Sequence, residues 1–392
     1  MRKSNKLLSS VFIVVFILAL CSICGISVIK NSVLDSTYVF NQEINEVSNQ
    51  NLGENENLKN LDTASFQGGK YVHIGGNPIG IVINAGGLIV VSSGEVATLN
   101  GNVNPLAEID IKKGDIIFEI DGKPCDSLYV FKKTIENSKG NVEIALKRGT
   151  EILKRKVTPV MDAISGAKRI GLIAKEDIGG VGTLTFTTDN LMFAGLGHHI
   201  YDGETGLCDE LQSGNLYNVE ISDVVKGERG KAGGLQASVN RLSQSIGEIK
   251  GNTSIGLYGT VNRKSNSDVY RIAEFGEAKM GHAQILTTIN GTSPKFYDID
   301  IVKVVSQNEV GEKGMVIAVR DKELLDKAGG IVQGMSGSPI VQNGLLIGAV
   351  THVFISDPTR GYAVHSRFMF DKAEQVCSTL HIENTYKRFS LI

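Results

Sequence analysis

Three kinds of hydrophobic pattern divide the chain. Residues 7–29 form an apolar run of 23 residues without a charge, preceded by Arg2, Lys3 and Lys6. At about 1.5 Å per residue such a run crosses a hydrocarbon core of roughly 30 Å. Its basic flank predicts a cytoplasmic start with the rest of the chain outside. A cleaved signal peptide is the rival, but it needs a shorter apolar core and a small-residue cleavage site, so a retained anchor is preferred. Between 41 and 62 the residues are mostly Asn, Glu and Gln with few large apolar side chains, the composition of a stalk that cannot bury enough surface to fold alone. From about 70 onward, short apolar runs alternate with glycine-bearing turns, which predicts strands. Residues 79–83 and 87–91 read as two of them. Residues 116–120 form a third, closed by Asp121-Gly122, and Val142, Ile144 and Leu146 alternate as on a half-buried fourth. Helical spacing occurs at Tyr129, Phe131 and Ile135, and again over 367–380.

The order of patterns predicts a mainly β protein in four segments: an anchor over 1–30, a stalk over 31–68, a small β-rich module over 69–160 and a larger β domain over 161–392. A hydrophobic share of 42% leaves room for sizeable cores, and 45 glycines against 7 prolines fit many tight turns. The net charge of −2 provides no basic field for nucleic acid, so no nucleic-acid partner is expected. Cys21 and Cys24 lie inside the apolar run, and Cys125, Cys208 and Cys377 are scattered. Neither a redox pair nor a disulfide framework is expected from them, and no cofactor is called for.

The densest chemical signal is Gly334-Met335-Ser336-Gly337-Ser338-Pro339, followed by a short apolar run, Asn343-Gly344 and a second apolar run. Asn-Gly predicts a two-residue hairpin turn. The flanking glycines let the backbone bend and bring N–H groups close to a reacting carbonyl. Ser336 is the candidate nucleophile, with the N–H groups of Gly334 and Ser336 as candidate oxyanion donors. Its candidate base is His198, at the end of a hairpin and directly after Gly197. His199 is the neighbouring rival, and His352 and His365 lie nearer the serine in sequence. A metal set of His198, His199 and Asp202 is disfavoured because adjacent strand residues point to opposite faces, so no metal is expected. For the orienting carboxylate, Asp321 competes with Asp298, Asp300 and Asp223. Asp321 reads equally as the N-cap of a short helix carrying Leu324 and Leu325.

Two resemblances add to this reading. The module, through its run from Gly114 to Pro124, resembles a PDZ domain. That implies a peptide-carboxylate loop at Ile79, Gly80 and Ile81 and strand addition at a sheet edge. The nucleophile hairpin resembles that of chymotrypsin-like peptidases, which implies a double β-barrel. The single anchor, the PDZ-like module, Gly197-His198-His199-Ile200-Tyr201-Asp202, the stretch from Asp321 to Ile340 and Gly348 to Phe354 together resemble the stage IV sporulation protein B family of serine peptidases. The resemblance implies a triad of His198, Asp321 and Ser336, and self-cleavage in which the protein's own N-terminal region is substrate and possible PDZ ligand. It also implies cleavage of a membrane-associated regulator of an intramembrane protease, which activates a late mother-cell sigma factor. The implied location is the space between forespore and mother-cell membranes. The alternative from the residues alone is a membrane-tethered, non-catalytic PDZ scaffold with a peptidase-like fold.

Overall fold

The computed structural model describes residues 69–207, 213–240, 242–305 and 310–389. The expected anchor and stalk, and Cys208, lie outside the described residues. No helix among the described residues is long and apolar enough to cross a membrane. The architecture is mainly β, as expected, with three helices among these residues: α1 (Leu128–Asn137), α2 (Lys322–Ala328) and α3 (Ser366–Phe389).

Backbone pairing closes a β-barrel. The strand Pro78–Ser93 pairs with Leu172–Thr187, which pairs with Met192–Gly195. The circuit continues through Gly256–Val261, Gly247–Thr253 and Ser213–Asn218, and returns to Pro78–Ser93. Alternating inward side chains fill it, with Ile79, Ile81, Phe193, Leu216 and Leu257 at its centre. A second circuit runs through Gly281–Thr287, Lys295–Val304, Met315–Val319, Asp357–His365, Leu345–Phe354 and Pro339–Gln342, and back to Gly281–Thr287. It encloses Ile285, Ile299, Ile317, Met335 and Ile340. Phe186, Tyr258, Leu346, Val364, Met369 and Phe370 form another core, to which strands of both circuits and α3 contribute. The two expected Asx-Gly turns are present. Asp121 and Gly122 (φ 47° and 73°) and Asn343 and Gly344 (φ 52° and 76°) all take the left-handed conformation that a two-residue hairpin needs.

The module has its own core, in which Phe131 and Ile135 of α1 pack with Leu88, Val90, Ile117, Ile144 and Leu146. Helix α1 starts where the Ser127 side chain accepts from Val130 N–H, and it buries the face that the helical spacing marked. The module is not built from a separate stretch of chain, however. Pro78–Ser93 runs through both regions. Ile79, Ile81 and Ile83 face the barrel core, whereas Leu88 and Val90 face the module core. Leu172–Thr187 does the same in reverse, and register shifts between Ile173 and Ala174 and between Lys175 and Asp177 separate its two halves. Such bulges re-aim a strand without ending its pairing.

Ile81 is fully buried. If it is a barrel residue, Ile81→Ala should lower unfolding stability by about 2–5 kcal/mol in urea titration. A loss below about 1 kcal/mol would show that this strand segment does not carry the barrel core.

Candidate active site

Ser336 sits in the turn that links α2 to Pro339–Gln342. Its neighbours Gly334 and Gly337 have φ of 96° and 94°, which a side chain resists. Met335 between them is buried as a plug in the second circuit's core, and Ser338 N–H closes the turn on Met335 O at 2.9 Å. The strand Leu172–Thr187, from the other circuit, holds the turn from outside. Thr183 N–H donates to Ser336 O (2.9 Å), Thr183 Oγ1 donates to Gly334 O (2.9 Å) and Thr185 Oγ1 donates to Gly337 O (2.7 Å). A Cβ on Gly337 would lie 2.1 Å from Thr183 O and 2.4 Å from Leu196 N, so no side chain fits there. Among the described residues, the N–H groups of Gly334 and Ser336 are donated to no backbone acceptor. Oxyanion donors have to be left free in this way.

His198 reaches the same corner through two consecutive left-handed residues, Leu196 (φ 67°) and Gly197 (φ 73°). A Cβ on Gly197 would lie 2.8 Å from Thr351 Cγ2. Thr351 in turn accepts the Ser336 hydroxyl on its carbonyl at 2.8 Å. The ring of the next residue, His352, lies 4.8 Å from that of His198, centroid to centroid. The structure therefore brings His198 and Ser336 to one corner, with the hydroxyl proton resting on a backbone carbonyl. His198 Nδ1 is 2.7 Å from His199 O. A carbonyl only accepts, so Nδ1 carries the proton and Nε2 is left as a bare lone pair, the tautomer a base requires. Burial lowers the His198 pKa, as do the charges of His352 and His199. The His199 carbonyl and the Glu312 carboxylate act in the opposite direction.

No hydrogen bond or ion pair joins Asp321, the expected third member, to this imidazole among the described residues. Asp321 caps α2, its carboxylate accepting from Leu324 N–H at 3.0 Å, and its charge acts on Lys295 and Tyr297. It follows one end of Met315–Val319, whereas Glu312, whose charge does reach His198, precedes the other. That strand alone spans about 13 Å. Asp321 thus takes the helix-cap role that the sequence offered beside the catalytic one. The other carboxylates considered are engaged elsewhere: Asp298 with Gln284, Asp300 with Arg320, and Asp223 with Val224 N–H. His365 packs on Phe275 and Phe368. Asp202 is buried in an ion pair with Lys175 and accepts from the N–H groups of Glu204 and Thr205.

The expected carboxylate loop at Ile79, Gly80 and Ile81 is corrected. These residues lie in mid-strand and pair with Leu172–Thr187 on one edge and Ser213–Asn218 on the other. Strand addition needs a free edge, and none exists there. The module does have such an edge at Leu172, Ile173 and Ala174. One side pairs with Pro78–Ser93, and no strand among the described residues takes the other. A groove of about 160 Å³ lies there against α1, lined by Leu128, Phe131, Ile135, Ile170, Leu172 and Ala174, with Lys132, Lys168 and Arg169 also on its wall. The sequence carried a signal for it in Arg169-Ile170-Gly171-Leu172, a small-residue turn entering an apolar strand, placed beyond the segment first assigned to the module.

Comparison with known proteins bears on this geometry. A family model described as SpoIVB peptidase S55 matches residues 166–370, just over half of the chain. No curated protein matches. Among solved structures, an inactive form of the Rv3671c protease of M. tuberculosis aligns at 14% identity over 50% of this chain and 84% of that one, with a TM-score of 0.28. A mutant inactive form of the same protein aligns at 10% identity over 50% and 82%, also with a TM-score of 0.28. The PDZ domain of an SdrC-like protein from Listeria monocytogenes aligns at 25% identity over 23% of this chain and 87% of that one, with a TM-score of 0.19.

Two outcomes follow from the site. As a cap, Asp321→Ala should cost about 1 kcal/mol of stability and Asp321→Asn much less. Equal pH–rate profiles for wild type and Asp321→Asn would agree with the cap, and a large rate loss in Asp321→Asn would restore a catalytic role. Burial also lowers the pKa of His198, His352 and His365. Below about pH 6.5 the unfolded chain binds protons that the folded chain does not, so stability should fall with acidification. The slope approaches about 1.4 kcal/mol per pH unit for each such histidine until its folded pKa is reached. Urea midpoints that stay constant from pH 7 to pH 5 would contradict the buried, neutral state of these rings.

Proposed function

We propose that this chain, which belongs to the SpoIVB peptidase S55 family and is a serine endopeptidase, cuts by acyl transfer through Ser336 with His198 as its base. The observation that carries the assignment is the meeting of the two loops, with Gly337 pressed on Leu196 and Gly197 pressed on Thr351. In the reaction the Ser336 hydroxyl leaves Thr351 O and turns to His198 Nε2. That nitrogen takes the proton as Oγ attacks the scissile carbonyl carbon. The negative charge that develops on the carbonyl oxygen falls between the free N–H groups of Gly334 and Ser336, donors worth roughly 2.7–4 kcal/mol each in such sites. His198 then gives its proton to the departing amine, and water attacks the acyl ester by the same route in reverse. His199 O holds the tautomer in place of a carboxylate. The two closed circuits of strands, with the histidine in the first and the serine in the second, support a chymotrypsin-like double β-barrel as the peptidase fold.

The family supports a wider role. The enzyme would be anchored by residues 7–29 with its domains outside the cytoplasm, between forespore and mother-cell membranes in a spore former. It would cut its own N-terminal region, then a membrane-associated regulator of an intramembrane protease, so that a late mother-cell sigma factor is activated. The PDZ-like module would take an extended peptide along Leu172, Ile173 and Ala174, whose edge no strand takes among the described residues. The N-terminal region is the first candidate for that peptide.

A fluorophosphonate that labels activated serines tests the core of this reading without a known substrate. Ser336→Ala should abolish labelling, and His198→Ala should slow it by about 10²–10⁴-fold. N-terminal sequencing of the fragments made by wild type should reveal cuts missing from Ser336→Ala. Undiminished labelling of Ser336→Ala would sink the assignment. If fragments are identical in both proteins, the cuts are not its own.

A further inference from the structure

His352 is a second imidazole in the active site, and the acyl-transfer scheme gives it no task. Its ring lies 4.8 Å from that of His198, tilted by 38°. Its backbone is fixed by the same residue that touches nucleophile and base. Thr351 accepts from Ser336 Oγ, packs against Gly197 and donates its own hydroxyl to Glu312 O at 3.0 Å. Its Nδ1 is buried and has no hydrogen-bond partner among the described residues. A buried polar atom left unpaired in a native structure calls for an explanation. We propose that His352 is a positioning residue for His198: its neutral ring backs the base and offers a π face to the imidazolium that forms when His198 takes the serine proton.

The orphaned nitrogen is the reason the ring stays neutral. As a bare lone pair, Nδ1 loses only an acceptor's hydration. As an N–H it would be a buried donor with nothing to receive it, and a protonated ring must carry N–H on both nitrogens. Two adjacent imidazolium ions would also repel each other. His352 is therefore neutral at the moment His198 is charged, and a cation against an aromatic face in a desolvated site is favourable. The charged or titratable groups acting on the pair are His199 on the segment of the base, and Glu312 and Lys313 on the segment preceding Met315–Val319. Glu312 favours the protonated form of both rings, whereas Lys313 opposes that of His352.

The inference rests on Ser336 and His198 as the reacting pair, and the experiment separates the two claims. Fluorophosphonate labelling of the full chain is followed against probe concentration and pH, which resolves the maximal rate from the half-saturating concentration. His352→Ala should lower the maximal rate by about tenfold and leave half-saturation unchanged. His352→Phe keeps a neutral aromatic face and should recover most of that loss. Because His352 is neutral beside either form of the base, His352→Phe should keep the acid limb of the pH profile where wild type has it, whereas His352→Ala, which loses the π face that favours the imidazolium, should move it to lower pH. Thermal melting accompanies each variant, and the Phe variant remains informative if the Ala variant folds poorly. Wild-type rates in His352→Ala, no recovery in His352→Phe, or an acid limb in His352→Ala that stays at the wild-type position would each overturn the positioning role. If Ser336→Ala still labels, the reading of the reacting pair fails instead.

Discussion

The active site depends on one contact that leaves no room for an atom: the α-carbon of Gly337 against Thr183 O and Leu196 N. Two closed sets of strands, each with its own core, meet here. One supplies the hairpin that ends in His198 and the other the turn that carries Ser336. Any side chain at position 337 would have to displace backbone on the opposing strand, which close-packed interiors resist. The hydrogen bonds from Thr183 and Thr185 then lock the turn laterally. These threonines are buried polar residues in an otherwise apolar wall. Their hydroxyls are satisfied by carbonyls of the nucleophile turn, so they bind the two halves together at a point where hydrophobic packing alone would allow sliding.

The same seam stores strain. Leu196 is a buried, branched residue in a left-handed conformation, and such residues persist only where the surroundings over-determine them. The reason is local. The chain must turn sharply after Met192–Gly195 to bring His198 over Thr351, and Gly197 continues the same left-handed bend. The price in conformational energy purchases a fixed approach of imidazole to hydroxyl. Ser336 Oγ is bonded to Thr351 O, the residue that Gly197 packs against.

Much of this was legible in the chain because the signals are local. Asn343-Gly344 and Asp121-Gly122 need no partner to favour their turns, and Gly334 and Gly337 mark a backbone that no other residue could follow. Phe131 and Ile135 revealed the buried face of α1 by spacing alone. What escaped depends on distance in sequence. Asp321 satisfies the local rule for an N-cap and, by its family position, the rule for a triad. Only the fold shows that its carboxylate accepts from Leu324 N–H while His198 Nδ1 faces a carbonyl. The carbonyl of His199 has no residue-type signal at all, since every residue offers one. His352 was visible as a nearby histidine, but its packing on His198 brings together two residues 154 positions apart in sequence, one from each circuit.

The position of Ile79, Gly80 and Ile81 shows why a boundary drawn from composition fails here. An apolar run of strand type looks the same whether it lines a barrel or a small module. Nothing in residues 78–93 marks the place where the facing core changes. The pairing does: Pro78 to Asn84 follow Thr183 to Asp177, and Ile89 to Ser93 follow Lys175 to Leu172, with the register shift falling between them. Both long strands therefore belong to two cores at once. Excising residues 69–160 would remove a strand from the barrel along with the module, leaving Leu172–Thr187 and Ser213–Asn218 with unpaired edges. Leu172–Thr187 starts at the groove beside α1 and ends in the threonines that hold the Ser336 turn. The groove beside α1 and the candidate active site are thus at two ends of one strand, and a physical separation of them has to leave that strand and its partner intact.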